Sequence, residues 1–422
     1  MKRSICLHGL KVKGLEELRD YLLCFLQGAE VRSRIKEERF PNNDMYKYRQ
    51  LSFRPQEGAG ITVSCMWGVL LSCDRMAPVS DIKISFDAEN TAQAIAAEHL
   101  VKKLLGGRIK FILTEPDVSG RISYLRGVYG REMAPAAQGS AASALYGQLP
   151  RQLYVASLLW QQLFAKGAEM GTWRQVRVKL RSLRSFVALL KPLLPQVKTI
   201  IWQGVLKKRA DALSSVREYD AAIVSCGCIR PDSEGVKRRV PQLLLALRQR
   251  REQEARAVLK NLDLNDLTLE LAEMLLGVYS VPPAVAATDL GDFYRLRFKA
   301  WSAGILAKAE ANPGFQDMEK LHELRIKLKR FRFALLCAEE LNVSNKFMRG
   351  LKCLVDNLGR LHDCYTEGEL LTALVAARTE DEELRVEAAI FLKAEADKAN
   401  AARRQLPCEW EHFSMLLADW LA

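Results

Sequence analysis

His322, Arg325, Lys329 and Arg332 follow one another at steps of three, four and three residues, a spacing that keeps side chains on one face of a helix with 3.6 residues per turn. No recognisable serine or cysteine motif accompanies them to make a nucleophilic triad, so the chemistry they suggest is the holding of negative charge. Lysine offers a compact cation, and arginine a planar fork that binds two oxygens at once. At 1.5 Å of rise per residue the row is about 15 Å long, too long for a compact anion and suited to a linear one. Beside it Leu321, Leu324, Leu328, Phe331 and Leu335 form an apolar stripe, so the element that must position the cations is an amphipathic helix buried along one side.

The same pattern occurs 148 positions earlier. Arg177, Lys179, Leu180 and Arg184 repeat Arg325, Lys327, Leu328 and Arg332, Arg181 repeats Lys329 in charge, and Arg174 stands where the later copy has His322. A second pattern recurs in the same order, as Leu206-Lys207 to Asp211 to Leu213 returns as Leu351-Lys352 to Asp356 to Leu358. Two unrelated patterns repeated in one order indicate an internal duplication. The fold expected from it is mainly α, with two tandem pseudo-symmetric helical bundles that bring the basic helices together at their junction. Lys207 and Lys352 are candidates from the adjoining helix, with pairing to Asp211 and Asp356 four residues on as their alternative use.

The run from His322 to Arg332, with Leu358-Gly359-Arg360-Leu361-His362-Asp363 after it, resembles the second half of a CHAD domain, a helical module named for its conserved histidines. Residues 150–290 resemble the first half and 291–422 the second. One departure is plain, since Arg174 occupies the first copy's histidine position. The resemblance implies binding of inorganic polyphosphate in a basic groove, and the duplicated pattern nominates Arg174, Arg177, Lys179, Arg181, Arg184, Lys207, His322, Arg325, Lys327, Lys329, Arg330, Arg332 and Lys352 to line it. Lys179 and Lys327 lie elsewhere on the helical wheel and would reach the groove by their long stems. Arg295, Arg297 and Lys299, or Arg248, Arg250 and Arg251, are weaker candidates to extend it.

Charge supports a focused surface. The net charge is +13; residues 174–184 hold five basic and no acidic residues, and 320–332 hold six basic and one acidic. Residues 150–422 carry 42 basic against 34 acidic residues, so the two helices contribute more than the whole surplus of that part. At 422 residues and 49% hydrophobic content the chain can form two or three domains with proper cores. Without an apolar run of eighteen residues a membrane span is not expected. The basic start is broken by His8, Gly9 and Lys11 and lacks a signal peptide's apolar stretch, so the expected location is cytoplasmic, extending to polyphosphate granules. Ten cysteines without a paired framework read as reduced thiols, and Cys226-Gly227-Cys228 lacks zinc or thioredoxin spacing.

Residues 1–135 read as an α+β domain with strands at Ser4–Leu7, Val31–Arg39, Tyr46–Arg54, Gly60–Val69, Asp81–Phe86, Arg108–Leu113 and Ile122–Tyr129, and helices at Leu15–Leu26 and Ala92–Leu105. Arg32, Arg34 and Lys36 would share one face of the sheet, and Lys47 and Arg49 would share one too. Such a face resembles that of the CYTH-type triphosphate tunnel often attached to CHAD domains, but the Glu-x-Glu-x-Lys opening is missing from Lys2-Arg3-Ser4-Ile5-Cys6-Leu7, and an ordinary exposed face is the preferred reading. Residues 136–149, small and uncharged, read as a linker. Helices are then expected at 150–168, 173–191, 199–226, 236–261, 265–277, 291–310, 317–340, 345–376, 380–405 and near 409–421, punctuated by prolines.

No catalytic residue, cofactor or metal site is nominated. An alternative reading is a polyphosphate- or triphosphate-processing enzyme with a catalytic N-terminal domain; it would need metal-binding carboxylates, and the neighbours Glu37 and Glu38 would point to opposite faces of a strand. A second alternative is nucleic-acid binding, disfavoured because no aromatic residue lies between Arg174 and Arg184 to stack on bases.

Overall fold

A computed structural model of the chain describes residues 2–26, 30–39, 44–55, 60–72, 75–116, 139–164, 169–229, 240–338, 341, 343–377 and 381–421. The protein is mainly helical, with one six-stranded antiparallel sheet in its N-terminal part. Its strands are β1 (Lys2–Gly9), β2 (Glu30–Arg39), β3 (Met45–Arg54), β4 (Thr62–Ser72), β5 (Arg75–Asp87) and β6 (Phe111–Thr114), in the order β2-β3-β4-β5-β1-β6. Helices α1 (Leu15–Leu23) and α2 (Thr91–Leu105) accompany the sheet. The remaining helices are α3 (Leu149–Phe164), α4 (Met170–Leu189), α5 (Gln196–Asp211), α6 (Ser214–Gly227), α7 (Pro241–Lys260), α8 (Leu264–Tyr279), α9 (Leu290–Glu310), α10 (Met318–Leu335), α11 (Asn345–Ala376) and α12 (Glu382–Leu421).

By packing, the chain divides into two compact units that interleave in sequence. The first comprises Met1–Ala168, Leu190–Leu206 and Leu262–Leu290; the second comprises Glu169–Leu189, Lys207–Asn261 and Gly291–Ala422. Both basic helices, α4 and α10, belong to the second unit.

In the first unit the register of β2 on β3 sets Arg32 opposite Ser52, Arg34 opposite Gln50 and Lys36 opposite Tyr48. Alternation therefore puts these three cations on one face and Lys47 and Arg49 on the other. Glu38 accepts a 2.8 Å hydrogen bond from the Tyr48 hydroxyl, while Glu37 pairs with Arg39 at 3.2 Å, so the two glutamates do point to opposite faces. The expected strand at 108–113 begins only at Phe111, because Asn265 of α8 takes the preceding carbonyls: its Nδ2 donates to Leu105 O at 2.8 Å and Ile109 O at 3.0 Å, and its Oδ1 accepts from Phe111 N. The strand expected at Ile122–Tyr129 lies outside the described residues. Of the expected linker, 139–149 is described: Ser140 bridges to Asp289, a π-helical turn runs over Ala144–Gln148, and Ala141, Ala144 and Leu145 are fully buried.

The second unit has an aromatic centre. Phe298 of α9 meets Phe331 of α10 at 5.3 Å and Trp420 of α12 at 5.8 Å between ring centroids, and Phe347 of α11 meets Trp420 at 5.2 Å; such edge-on and tilted contacts are favourable beyond their buried area. A second cluster joins Leu243 and Leu247 of α7 to Leu371 of α11 and Leu384 and Phe391 of α12. Three expected helices differ from the sequence reading. The stretch 199–226 is broken between α5 and α6, where Leu213 N bonds Ala210 O in a tightened last turn and the Leu213 side chain is buried. The helices expected at 380–405 and 409–421 are one, α12, which runs through Pro407. Burial of Leu406 and Phe413 holds the chain helical where proline removes one backbone bond.

Candidate functional site

α10 is started by its own sequence. The Asp317 side chain accepts from Glu319 N at 3.0 Å and Lys320 N at 3.1 Å, satisfying two of the amides that a helix leaves open at its N-terminus. From there Leu321, Leu324, Leu328 and Phe331 are buried, as the apolar stripe requires. α10 packs against both α4 and α11. Ser182 Oγ of α4 lies 3.3 Å from Cys337 Sγ just beyond α10, so the two helices run in close contact, and their cationic rows meet.

Arg325 sits at the centre of that meeting. It is only 6% exposed, and its buried Nε has no hydrogen-bond partner among the described residues. Arg181 of α4 is disfavoured as a cation first by burial and then by the charge of Arg325; Arg325 is disfavoured by burial and by Arg177, with Asp363 of α11 partly compensating. Lys329 is held down to about 7, chiefly by burial and then by Arg325 and Arg181. Desolvation and the charges of Arg325, His362, Lys329 and Arg181 push His322 below its ordinary value. The ion pairs formed among the described residues include none of Arg181, Arg325 or Lys329. Cations gathered and half-desolvated in this way repel one another, and a bound anion relieves that cost.

The remaining nominated residues fall into three groups. Arg177 belongs to the cluster but is tied down, its Nη2 donating to Ser214 Oγ at 3.0 Å and its Nε to Ala210 O at 3.4 Å. Arg174 and Arg184 are exposed on α4, and Arg332, half-buried on α10, keeps a buried Nε with no partner among the described residues. Arg330 and Lys327 lie on another side of α10: the Arg330 guanidinium stands 5.1 Å from the Trp301 ring centre, and Lys327 Nζ approaches Gly304 of α9. Lys179 is half-buried, and Lys207 and Lys352 are exposed.

Several weaker candidates have structural employment. Arg297 donates to Leu189 O at 3.0 Å and Ala188 O at 3.1 Å, capping the end of α4, Arg251 pairs with buried Asp220 at 3.0 Å, and Arg295 pairs with Asp292 at 2.6 Å.

Sequence reasoning underused His362 and Asp363. The His362 ring stacks on His322 with centroids 5.0 Å apart and planes 23° apart, and its Nδ1 is 3.7 Å from Asp363 Oδ1. Burial pushes the Asp363 carboxyl up, but His362, Lys329 and Arg325 together bring it below its ordinary value. Asp363 is thus the anionic counterweight to Arg325 and Lys329, as Asp211 is to Arg181 and Glu218 with Asp211 to Arg177. The signal was the adjacent His-Asp pair on a helical face, which in sequence is indistinguishable from a packing histidine.

A family model for the CHAD domain matches residues 155–372. The chain belongs to the CHAD domain family. Among solved structures it is similar to the CHAD domain from the plant Ricinus communis, at 20% identity and a TM-score of 0.52, over 64% of this chain and 94% of that one. It also resembles PptA from Streptomyces chartreusis, at 14% identity and a TM-score of 0.48, over 64% of this chain and 99% of that one. No curated protein matches the chain. The CHAD match spans both basic helices and ends within α11, so all the residues of the cationic cluster fall inside it.

Proposed function

We propose that the CHAD cluster of α4, α10 and α11 binds inorganic polyphosphate, and that this binding serves to localise the protein, polyphosphate granules being the natural destination. The observation that carries this reading is Arg325, a nearly buried arginine whose Nε has no partner among the described residues, set beside Arg177, Arg181 and Lys329. Its surroundings provide cationic forks and a point charge in a row, with no built recognition of a base or sugar. Phosphate oxygens recurring along a chain match that row, and each charge-assisted bond replaces repulsion with attraction. Arg174, Arg184, Arg332, Lys207 and Lys352 extend the track at its exposed ends; Lys179, Lys327 and Arg330 contribute charge from farther around their helices.

The wider architecture belongs to the same proposal: an N-terminal α+β domain over 1–135, a connecting stretch over 136–149, and a duplicated CHAD domain over 150–422 whose halves descend from one ancestral unit with pseudo-symmetric placement. No helix among the described residues is long and apolar enough to cross a membrane.

A competition titration at fixed salt checks the ligand class. Labelled polyphosphate bound to the full chain should resist displacement by single-stranded nucleic acid at equal phosphate concentration. Equal displacement would transfer the site to nucleic-acid binding, because both ligands share the salt-dependent electrostatic contribution and only stacking or base contacts would separate them.

A further inference from the structure

Within the first unit, a cavity of about 770 Å³ is lined at one side by Arg3 of β1. The Arg3 guanidinium lies 4.6 Å from the ring centre of Tyr146 and 5.0 Å from that of Tyr279. Both rings are anchored by their hydroxyls: Tyr146 donates to Val281 O, and the Tyr279 oxygen lies 3.4 Å from that of Tyr154. The arginine is therefore pre-positioned by aromatic faces, an arrangement that favours a cation without neutralising it. Its Nε is buried and has no hydrogen-bond partner among the described residues.

Of the three carboxylates in the cavity wall, Glu98 and Glu273 are engaged by a lysine and Glu89 is exposed to solvent. Lys102 Nζ takes Glu98 at 2.7 Å and Glu273 at 3.3 Å, and these pairs raise the lysine above its ordinary value. Arg3 forms no ion pair among the described residues; a partly buried guanidinium so placed is costly, and an incoming anion lowers that cost.

The wall also carries Glu89, Thr91, Lys198 and Ser280, and its remainder is apolar. Leu276, Val281, Pro282 and Trp202 contribute to it, and Gly277 is the reason the indole fits, since a Cβ there would stand 2.5 Å from Trp202 Cζ2. At its edge Ile95 is 61% exposed and Ile201 56% exposed, two large aliphatic side chains left in water in the same cavity as the oriented Arg3. Concave, largely apolar walls with a few fixed polar groups are the usual make-up of a small-molecule site.

We propose that this cavity binds an amphiphilic organic anion, with a carboxylate or phosphate monoester head on Arg3 and an apolar body against Trp202, Leu276, Ile95 and Ile201. The site is separate from the polyphosphate cluster and independent of that reading, because an inorganic chain has nothing to place on the aliphatic wall.

Decanoate, decyl phosphate, decanol and inorganic pyrophosphate are the probes, titrated calorimetrically into the full chain below micelle-forming concentrations. Either decyl anion, or both, should bind at least about tenfold more tightly than decanol, with pyrophosphate failing to compete; which head binds better distinguishes a carboxylate from a phosphate ligand. Arg3→Met should abolish the preference for the anions over decanol, and Arg3→Lys should keep part of it. Ile201→Glu, on the exposed edge, should weaken decyl anion binding about tenfold while circular dichroism stays unchanged. The proposal is overturned if no probe binds the folded wild type, if decanol matches the anions, or if folded Arg3→Met retains the preference. Should Arg3→Met not fold, the Ile201→Glu variant decides alone, and unchanged anion binding there rejects the site. Polyphosphate affinity of the folded variants should equal that of the wild type, which keeps the two sites experimentally distinct.

Discussion

In α4, Arg177 gives its hydrogen bonds to Ser214 and the Ala210 carbonyl; in α10, its counterpart Arg325 is more deeply placed and leaves Nε without a partner among the described residues. The neighbouring positions diverge in the same sense. Arg174 is exposed, whereas its counterpart His322 stacks on His362 beside Asp363. Ser182 contacts Cys337 where the other copy has Arg330 over Trp301. The sequence repeats one basic row, and packing uses the two rows differently. The arginine of α4 helps hold the fold, while that of α10 leaves its Nε unpartnered among the described residues, with the electrostatic cost carried by the burial of α10 among aromatic side chains.

Four tests break or sharpen that contrast. The largest effect should come from the scaffold. Phe331 and its repeat partner Leu183 are both fully buried; Phe331→Ala should cost about 3–5 kcal/mol and Leu183→Ala about 2–5 kcal/mol in denaturant unfolding. A much smaller loss at Phe331 would mean that α10 is not clamped by the aromatic centre. Next, Arg177→Ala should destabilise the fold by about 1–2 kcal/mol through its lost hydrogen bonds, whereas Arg325→Ala should leave stability unchanged or raised and weaken polyphosphate binding the more strongly. Reversal of those two outcomes would invert the division of labour.

A pH series tests the third point. Lys329 in the folded chain is held near 7, below the roughly 10.4 of an unfolded lysine. Between those values the unfolded chain binds more protons, so this residue makes stability rise with pH across the window. Anion binding favours the charged lysine, so affinity should strengthen as pH falls from about 8.5 toward 7, with proton uptake visible as a buffer-dependent binding enthalpy. Lys329→Met should remove both slopes; slopes that survive it belong to another group. The smallest effect is expected at His322, where His322→Gln should change affinity by no more than about threefold at pH 7.5, because the ring is already neutral there, and should matter more near pH 6.

The cationic face and the apolar stripe of α10 were legible because both follow directly from helical period, and the second copy in α4 was legible by repetition. The local sequence carried less at the ends of elements. The break at Leu213 depends on a buried leucine meeting its neighbours, and continuity through Pro407 depends on Leu406 and Phe413 being buried, neither of which a proline or a period reports. Two residues of the site, His362 and Asp363, stayed indistinct because their importance comes from opposing α10, a contact more than thirty residues distant. Lys327 and Arg330 illustrate the reverse, since a wheel shows them off the cationic face and the structure finds them beside Gly304 and Trp301. The interleaving of the two units is equally invisible, because it depends on long-range packing of segments such as Leu190–Leu206 and Leu262–Leu290.

The central claim is that the clustered cations of α10 hold a chain of phosphates. Calorimetric titration of inorganic polyphosphate into the wild type and into the Arg325→Ala, Lys329→Ala, Arg332→Ala triple variant, at one salt concentration and pH 7, addresses it directly. At least a hundredfold loss of affinity in a variant whose circular dichroism and unfolding are unchanged is the expected result, of the order that three charge-assisted contacts supply. Equal affinity in the two proteins would contradict the assignment.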